Sequence, residues 1–210
     1  HCHTTNRLVK DVVDGKAMLA DILRYMETYG IQKTVVLATY FPHKGTGISN
    51  YRLRHWIDQI NEHDRPKFLM FGSLDFQTYF LQGYNELQEM ASDKMVQGIK
   101  VYTGYQDIDF DSKQFDMLMQ LAAKEGLPVM FHAGYSYACM RKYGRPCVGT
   151  MYGAEQLRKV AEEWTDVDFI FSHMSKPFFH EMLFAAKECP NVYTDMSGLI
   201  DSKFDEKEIP

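Results

Sequence analysis

Short apolar runs bounded by turn residues recur along the chain: TVVLA (34–38), FLMFG (68–72), GIKVY (98–102), PVMFH (128–132), FIFSH (169–173) and NVYTD (191–195). They are apolar almost throughout rather than alternating, as expected of strands in a parallel sheet with helices over both faces. The segments between them have helical periodicity. Met18, Ile22, Tyr25 and Tyr29 fall on one face, as do Phe115, Leu118 and Ala122, then Leu157, Val160 and Trp164, then Phe179, Met182 and Ala186. Strand and helix thus alternate in units of about 30 residues, the size of a strand–helix repeat. One more strand is inferred immediately before His1, because the first helix needs a strand ahead of it. The pattern predicts an α/β fold, either a closed (β/α)8 barrel of about 250 residues or an open doubly wound sheet.

Composition narrows the function more than the fold. A chain of 210 residues, 45% hydrophobic and 24% charged, predicts one folded domain over 1–210 without linker or low-complexity stretch. The net charge of -5 and the lack of a basic cluster argue against nucleic acid and for a small-molecule partner. No apolar run approaches a membrane span, and the start lacks the pattern of a secretory signal. Cys2, Cys139, Cys147 and Cys189 form no CxxC pair, which suggests neither a zinc knuckle nor a disulfide framework and fits a reducing, cytoplasmic setting. A homo-oligomer is left open.

The polar residues choose between barrel and open sheet. His1 and His3 stand at the exit of the inferred first strand, Lys100 lies within GIKVY, and His132, His173 and Asp195 close the three runs that follow. Chemistry contributed by the C-terminal ends of several strands is the mark of a barrel active site. Residues i and i+2 of a strand share a side, so His1 and His3 face one centre while Cys2 faces away. Imidazoles so placed suit zinc or a similar divalent ion. HCH at a chain start also reads as the remnant of a purification tag, and a lone strand-end His as a hydrogen-bonded core residue. Their recurrence over successive repeats favours a site. His43, His55, His63 and His180 fall in loops or helices and are read as surface or supporting residues.

HCH, GIKVY, LPVMFHAG, FIFSHMSKP and NVYTDMSG, in that order, resemble the amidohydrolase superfamily, specifically the branch that includes aminocarboxymuconate semialdehyde decarboxylase and related metal-dependent hydrolases. The resemblance implies a (β/α)8 TIM barrel with a divalent metal, zinc or manganese, at its C-terminal mouth. It implies His1, His3 and His132 as metal ligands and His173 as a catalytic histidine, the alternative being a ligand to a second metal. The family's last strand carries an Asp that binds metal and acts as base. Asp195 belongs to the strand before and is read as orienting its neighbours. The chain is therefore expected to lack the first and the eighth strand of the barrel, and to extend naturally past both ends.

Lys100 is read as an unmodified amine that holds a substrate carboxylate, although binuclear members of the superfamily carbamylate a fourth-strand Lys. The long segment after His132 reads as a lid in which Tyr135, Arg141 and Arg145 meet an anionic substrate, or as a solvated loop or subunit contact. Lys176 and Arg7, with His43 and Lys44 less directly, are further anion-binding candidates. The expected activity is hydrolysis of a small anionic or cyclic substrate by a metal-activated water. The alternatives are a non-oxidative decarboxylase on the same scaffold, or a barrel that only binds. A metal phosphoesterase or nuclease is disfavoured, since GIK stands where a deoxyribonuclease-like relative would show Glu.

Overall fold

The structure, a computed structural model, describes residues 2–3, 8–9, 12–13, 15–39, 48–134 and 153–198, with side chains from residue 19 onward. The chain forms two compact units, one of His1–Asp75 with Tyr79–Gly98 and one of Phe76–Thr78 with Ile99–Pro210.

In the first unit, β1 (Cys2–His3), β4 (Thr34–Leu37) and β5 (Phe68–Ser73) pair in parallel, Cys2 opposite Val36 and Thr34 opposite Phe68. The extended stretch ahead of the first helix thus runs into the HCH segment itself. A two-strand antiparallel hairpin, β2 (Leu8–Val9) with β3 (Val12–Val13), was not foreshadowed by any apolar run. The helices are α1 (Gly15–Tyr29), α2 (Asn50–Asp58) and α3 (Phe80–Ser92). The predicted face of α1 needs correction: Tyr25 and Tyr29 are 60% and 64% exposed, while Leu19 and Met26, one heptad apart, are buried at 1% and 2%. The two tyrosines, one turn apart, instead pack on each other at the surface with ring centroids 4.4 Å apart. Asn50, at the start of α2, is buried and clamps the end of β5: its Nδ2 donates to Ser73 O at 2.9 Å and its Oδ1 accepts from Ser73 N at 2.8 Å.

In the second unit β6 (Gly98–Val101), β7 (Val129–Phe131), β8 (Phe169–Phe171) and β9 (Val192–Thr194) pair in parallel in sequence order. Helices α4 (Lys113–Glu125), α5 (Ala154–Glu163) and α6 (Phe179–Glu188) intervene. Helix α4 shows why such a segment folds locally. Ser112 Oγ accepts from Phe115 N at 3.2 Å as its N-cap, and Gly126 ends it in the left-handed conformation, φ 63°. Its apolar stripe, Phe115, Leu118 and Ala122, is buried as the periodicity predicts. In α6 the buried positions are Phe179, Met182 and Ala185, not Ala186.

The four strands are in register: Ile99, Val129, Phe169 and Val192 form one row across the sheet, and Lys100, Met130, Ile170 and Tyr193 the next. Successive strand residues point to opposite faces. Phe131 stacks on Phe169 with centroids 5.7 Å apart and meets Phe115 of α4 at 6.4 Å, so the row of Ile99 turns towards the helix. The row of Lys100 turns away from it, and so do Tyr102, His132 and Ser172, two residues further along each strand.

Candidate active site

Register brings the strand ends of the second unit to one edge, where His132 follows β7, Ser172 and His173 follow β8, and Asp195 follows β9. His132 is pinned to β6 through its backbone: its N–H donates to Val101 O at 3.0 Å, and its carbonyl accepts from the Thr103 hydroxyl. The residue is 7% exposed. Tyr105 lies edge-on to it at 4.9 Å between centroids and His173 at 5.0 Å.

His173 reaches that position by an unusual backbone path. His173, Met174 and Ser175 have φ of 62°, 47° and 53°, three successive side chains in the left-handed region that glycine normally occupies. Each such residue costs on the order of 1–3 kcal/mol and persists only where its surroundings over-determine it. Here the stretch after β9 supplies the partners. Asp195 O accepts from Met174 N at 3.0 Å, Asp195 Oδ1 lies 3.3 Å from His173 N, and His173 Nδ1 lies 2.7 Å from Ser197 O. On the other side the turn presses on Gly134, whose φ is +83° and where a Cβ would stand 2.8 Å from Ser175 C and closer still to the Lys176 carbonyl. Only glycine fits there, and its presence lets the segments after β7 and β8 touch.

Lys100 lies behind the two histidines. It is fully buried, donates from Nζ to Ser172 Oγ at 2.9 Å and sits 5.5 Å from the centre of the Tyr102 ring. Burial pushes its pKa down to about 7, against the opposing pull of Asp195. Burial also lowers the His173 pKa, with Lys100 adding to the effect and the Ser197 carbonyl and Asp195 opposing it. Burial thus shifts both groups towards their neutral forms at this edge.

The structure thus brings Lys100, His132, His173 and Asp195 together within one unit. Lys176 is half-buried and follows the left-handed turn, donating from its backbone N to His173 O at 3.0 Å. His3 is described as β1 backbone paired with Leu37, without its side chain. His1, Arg7, His43, Lys44, Tyr135, Cys139, Arg141, Arg145 and Cys147 lie outside the described residues. His55, His63 and His180 are exposed, and Cys189 is buried as a free thiol. Sequence reasoning missed Tyr105, Ser172 and Ser197. Ser172 stands beside a strand-end His and Ser197 two residues past a strand-end Asp, the only signals that pointed to them.

Residues 45–209 match the family model described as amidohydrolase, and the chain belongs to that family. No curated protein matches the sequence closely enough to count as a relative. Among solved structures, an uncharacterised TIM-barrel protein of Bordetella bronchiseptica is similar with a TM-score of 0.63 and 19% identity, over 85% of this chain and 59% of that one. A probable 2-pyrone-4,6-dicarboxylic acid hydrolase of Acinetobacter baumannii with citric acid bound gives 0.60 and 11%, over 95% and 69%. A 5-carboxyvanillate decarboxylase of Novosphingobium aromaticivorans, complexed with manganese and 4-hydroxy-3-methoxy-5-nitrobenzoic acid, gives 0.54 and 15%, over 80% and 53%. At these identities the likeness is one of fold, and the α/β repeat read from the sequence is that of a TIM barrel. The chain spans 53% to 69% of the length of these proteins.

The family implies a metal. Among the described residues no group of three or more His, Cys, Asp and Glu side chains could hold one. Of the ligands that the resemblance implies, His132 is the one whose side chain is described; it is buried at the strand ends, and a neutral imidazole there suits zinc or manganese. No helix among the described residues is long and apolar enough to cross a membrane.

Proposed function

We propose that the protein is a metal-dependent hydrolase of the amidohydrolase type, acting on a small anionic or cyclic substrate. The observation that carries the reading is the edge-to-face approach of His132 and His173, 5.0 Å between centroids, at the ends of neighbouring strands. The resemblance implies His1 and His3 as further ligands beside His132, and these residues would hold one divalent ion, zinc or manganese. When bound, such an ion acidifies water towards a pKa of about 7 and polarises an oxygen of the substrate. His173 touches the reacting atoms and moves a proton. Asp195 and Ser197 orient it, and Gly134 lets its turn pack against the segment that carries His132. Lys176, and Tyr135, Arg141 and Arg145 of the long segment after His132, are the candidates to pair with the anionic part of the substrate. Lys100, buried on Ser172, bears on the site from beneath, and contact with a carboxylate requires its amine to leave that hydrogen bond.

A cyclic, carboxylated substrate is also what the name of the pyrone dicarboxylic acid hydrolase describes for a protein of this fold. The second reading, a non-oxidative decarboxylase, is favoured by the manganese-bound carboxyvanillate decarboxylase of the same fold. One experiment separates the two. The protein reconstituted with zinc or manganese is incubated with a panel of carboxylated lactones, amides and carboxylated phenols, and hydrolysis and carbon dioxide release are followed in parallel. Hydrolysis supports the first reading and carbon dioxide release replaces it with the second. Inactivity on all three classes together with no retained metal removes both.

A further inference from the structure

We propose that Asp195 is a positioning residue that fixes His173, through Ser197, as the tautomer with its proton on Nδ1. The inference rests on the reading of His173 above only for its consequence, since its argument is geometric. Asp195 Oδ1 gathers three donors: the backbone N–H of His173 at 3.3 Å, the backbone N–H of Ser197 at 2.8 Å, and the Ser197 hydroxyl in a short contact. An oxygen that receives three donors carries no proton of its own. The single hydroxyl proton of Ser197 therefore points at Asp195, and Ser197 Oγ offers only lone pairs to His173 Nδ1, 3.0 Å away. A second described neighbour of Nδ1, the Ser197 carbonyl at 2.7 Å, accepts and never donates. With acceptors on both sides, Nδ1 must be the protonated nitrogen, and a neutral ring then carries its lone pair on Nε2.

The same carboxylate stabilises the backbone that makes this possible. The three left-handed residues from His173 to Ser175 place the imidazole against the 195–197 stretch, and Asp195 holds both sides of that contact through one oxygen. The consequence is chemical. The resting imidazole presents an acceptor on Nε2, so it takes a proton from water or substrate. It donates to a carbonyl oxygen only after it has been protonated.

The test is made on metal-free protein labelled with nitrogen-15 in histidine, by long-range proton–nitrogen correlation, with the His173 signals assigned by their loss in His173→Asn. The expected pattern is a single tautomer, Nδ1 protonated and Nε2 bare. Asp195→Ala removes the acceptor that holds the backbone N–H groups of His173 and Ser197 and the Ser197 hydroxyl, so the Ser197 carbonyl loses its fixed place beside Nδ1, the hydroxyl can turn to donate there, and the two nitrogen shifts should then move towards each other as tautomers mix. Asp195→Asn keeps an accepting oxygen and should keep the single pattern. Asp195→Ser leaves a polar atom that cannot gather three donors and serves, with the same mixing expected, where the Ala variant does not fold. Wild-type His173 protonated on Nε2, or a folded Ala or Ser variant with an unchanged pattern, overturns the proposal. Metal content and turnover do not enter this readout. A single Nδ1–H tautomer in a protein that holds no metal would keep this inference and reject the proposed function.

Discussion

Lys100 Nζ donates to Ser172 Oγ at 2.9 Å, and both side chains are fully buried. An ammonium in that position has lost its water and gained one neutral hydrogen bond, so burial pushes its pKa down to about 7 from an ordinary value of 10.5. The unfolded chain then binds a proton that the folded chain does not between pH 7 and pH 10.5. Stability must rise with pH across that window and fall as pH drops through it towards 7.

Lys100→Met removes the titrating amine and keeps an unbranched apolar chain. Urea unfolding from pH 7 to pH 10 should show wild-type stability climbing relative to the variant by a few kcal/mol, the variant being the more stable near pH 7. Parallel curves for the two proteins would mean that the amine stays charged in the fold.

The two histidines can be separated by what each loses. His132→Ala should abolish retention of zinc or manganese, measured by metal analysis after dialysis. His173→Asn should keep the metal and lower turnover by about two to four orders of magnitude, the range for removing a proton-transferring or charge-stabilising group. Loss of metal in the Asn variant would make His173 a ligand and point to a binuclear centre.

Gly134→Ala tests the contact between the segments after β7 and β8. Alanine meets both a positive φ and the backbone of Ser175 and Lys176. The expected destabilisation is about 2–4 kcal/mol, larger than a Gly→Ala change at an open site with φ above zero. Gly126→Ala supplies that comparison, since its φ is +63° and nothing lies within 4 Å of the added methyl. Equal losses in thermal melting would leave only the φ effect and remove the packing argument.

The six apolar runs all appear as strands within a residue or two, because an uninterrupted apolar run of this length has few other ways to be buried. The strand-end positions of His132, His173 and Asp195 followed from the same runs. What surrounds them did not, because it depends on contacts across the sheet. The left-handed turn from His173 to Ser175 has no glycine to announce it, and the partners that hold it, Asp195 and Ser197, lie some twenty residues on. Lys100 reads in the sequence as a reactive strand residue. Its burial on Ser172 follows from the register of β6 with β7 and of β7 with β8, which periodicity alone does not supply. The face of α1 was misassigned because tyrosine counts as apolar in a pattern yet lies comfortably at a surface.

Asn50 is the polar side chain on which the first unit depends most directly. Beyond its two bonds to the Ser73 backbone, Nδ2 donates to Glu86 Oε2 at 3.1 Å, so one amide ties α2 to β5 and α3. Asn50→Leu fills the same space and leaves the Ser73 N–H, the Ser73 carbonyl and the Glu86 carboxyl without that partner. At roughly 1–3 kcal/mol for each buried group left unsatisfied, a loss of about 3 kcal/mol or more is expected. Glu86→Gln should behave in the opposite way. Burial raises the Glu86 pKa although the Asn50 hydrogen bond opposes the shift, so the folded state loses stability as pH rises from the ordinary value of 4.5 through the raised one. An amide in its place still accepts from Asn50 and carries no charge to bury, so the Gln variant should match or exceed wild type at pH 7 and lose that advantage towards pH 4. Urea midpoints at the two pH values decide the matter: an Asn50→Leu protein as stable as wild type would show that α2 is held to β5 by apolar packing rather than by this amide, and a Glu86→Gln protein weaker than wild type at pH 7 would show that the charged carboxylate's bond from Asn50 outweighs the cost of burying it.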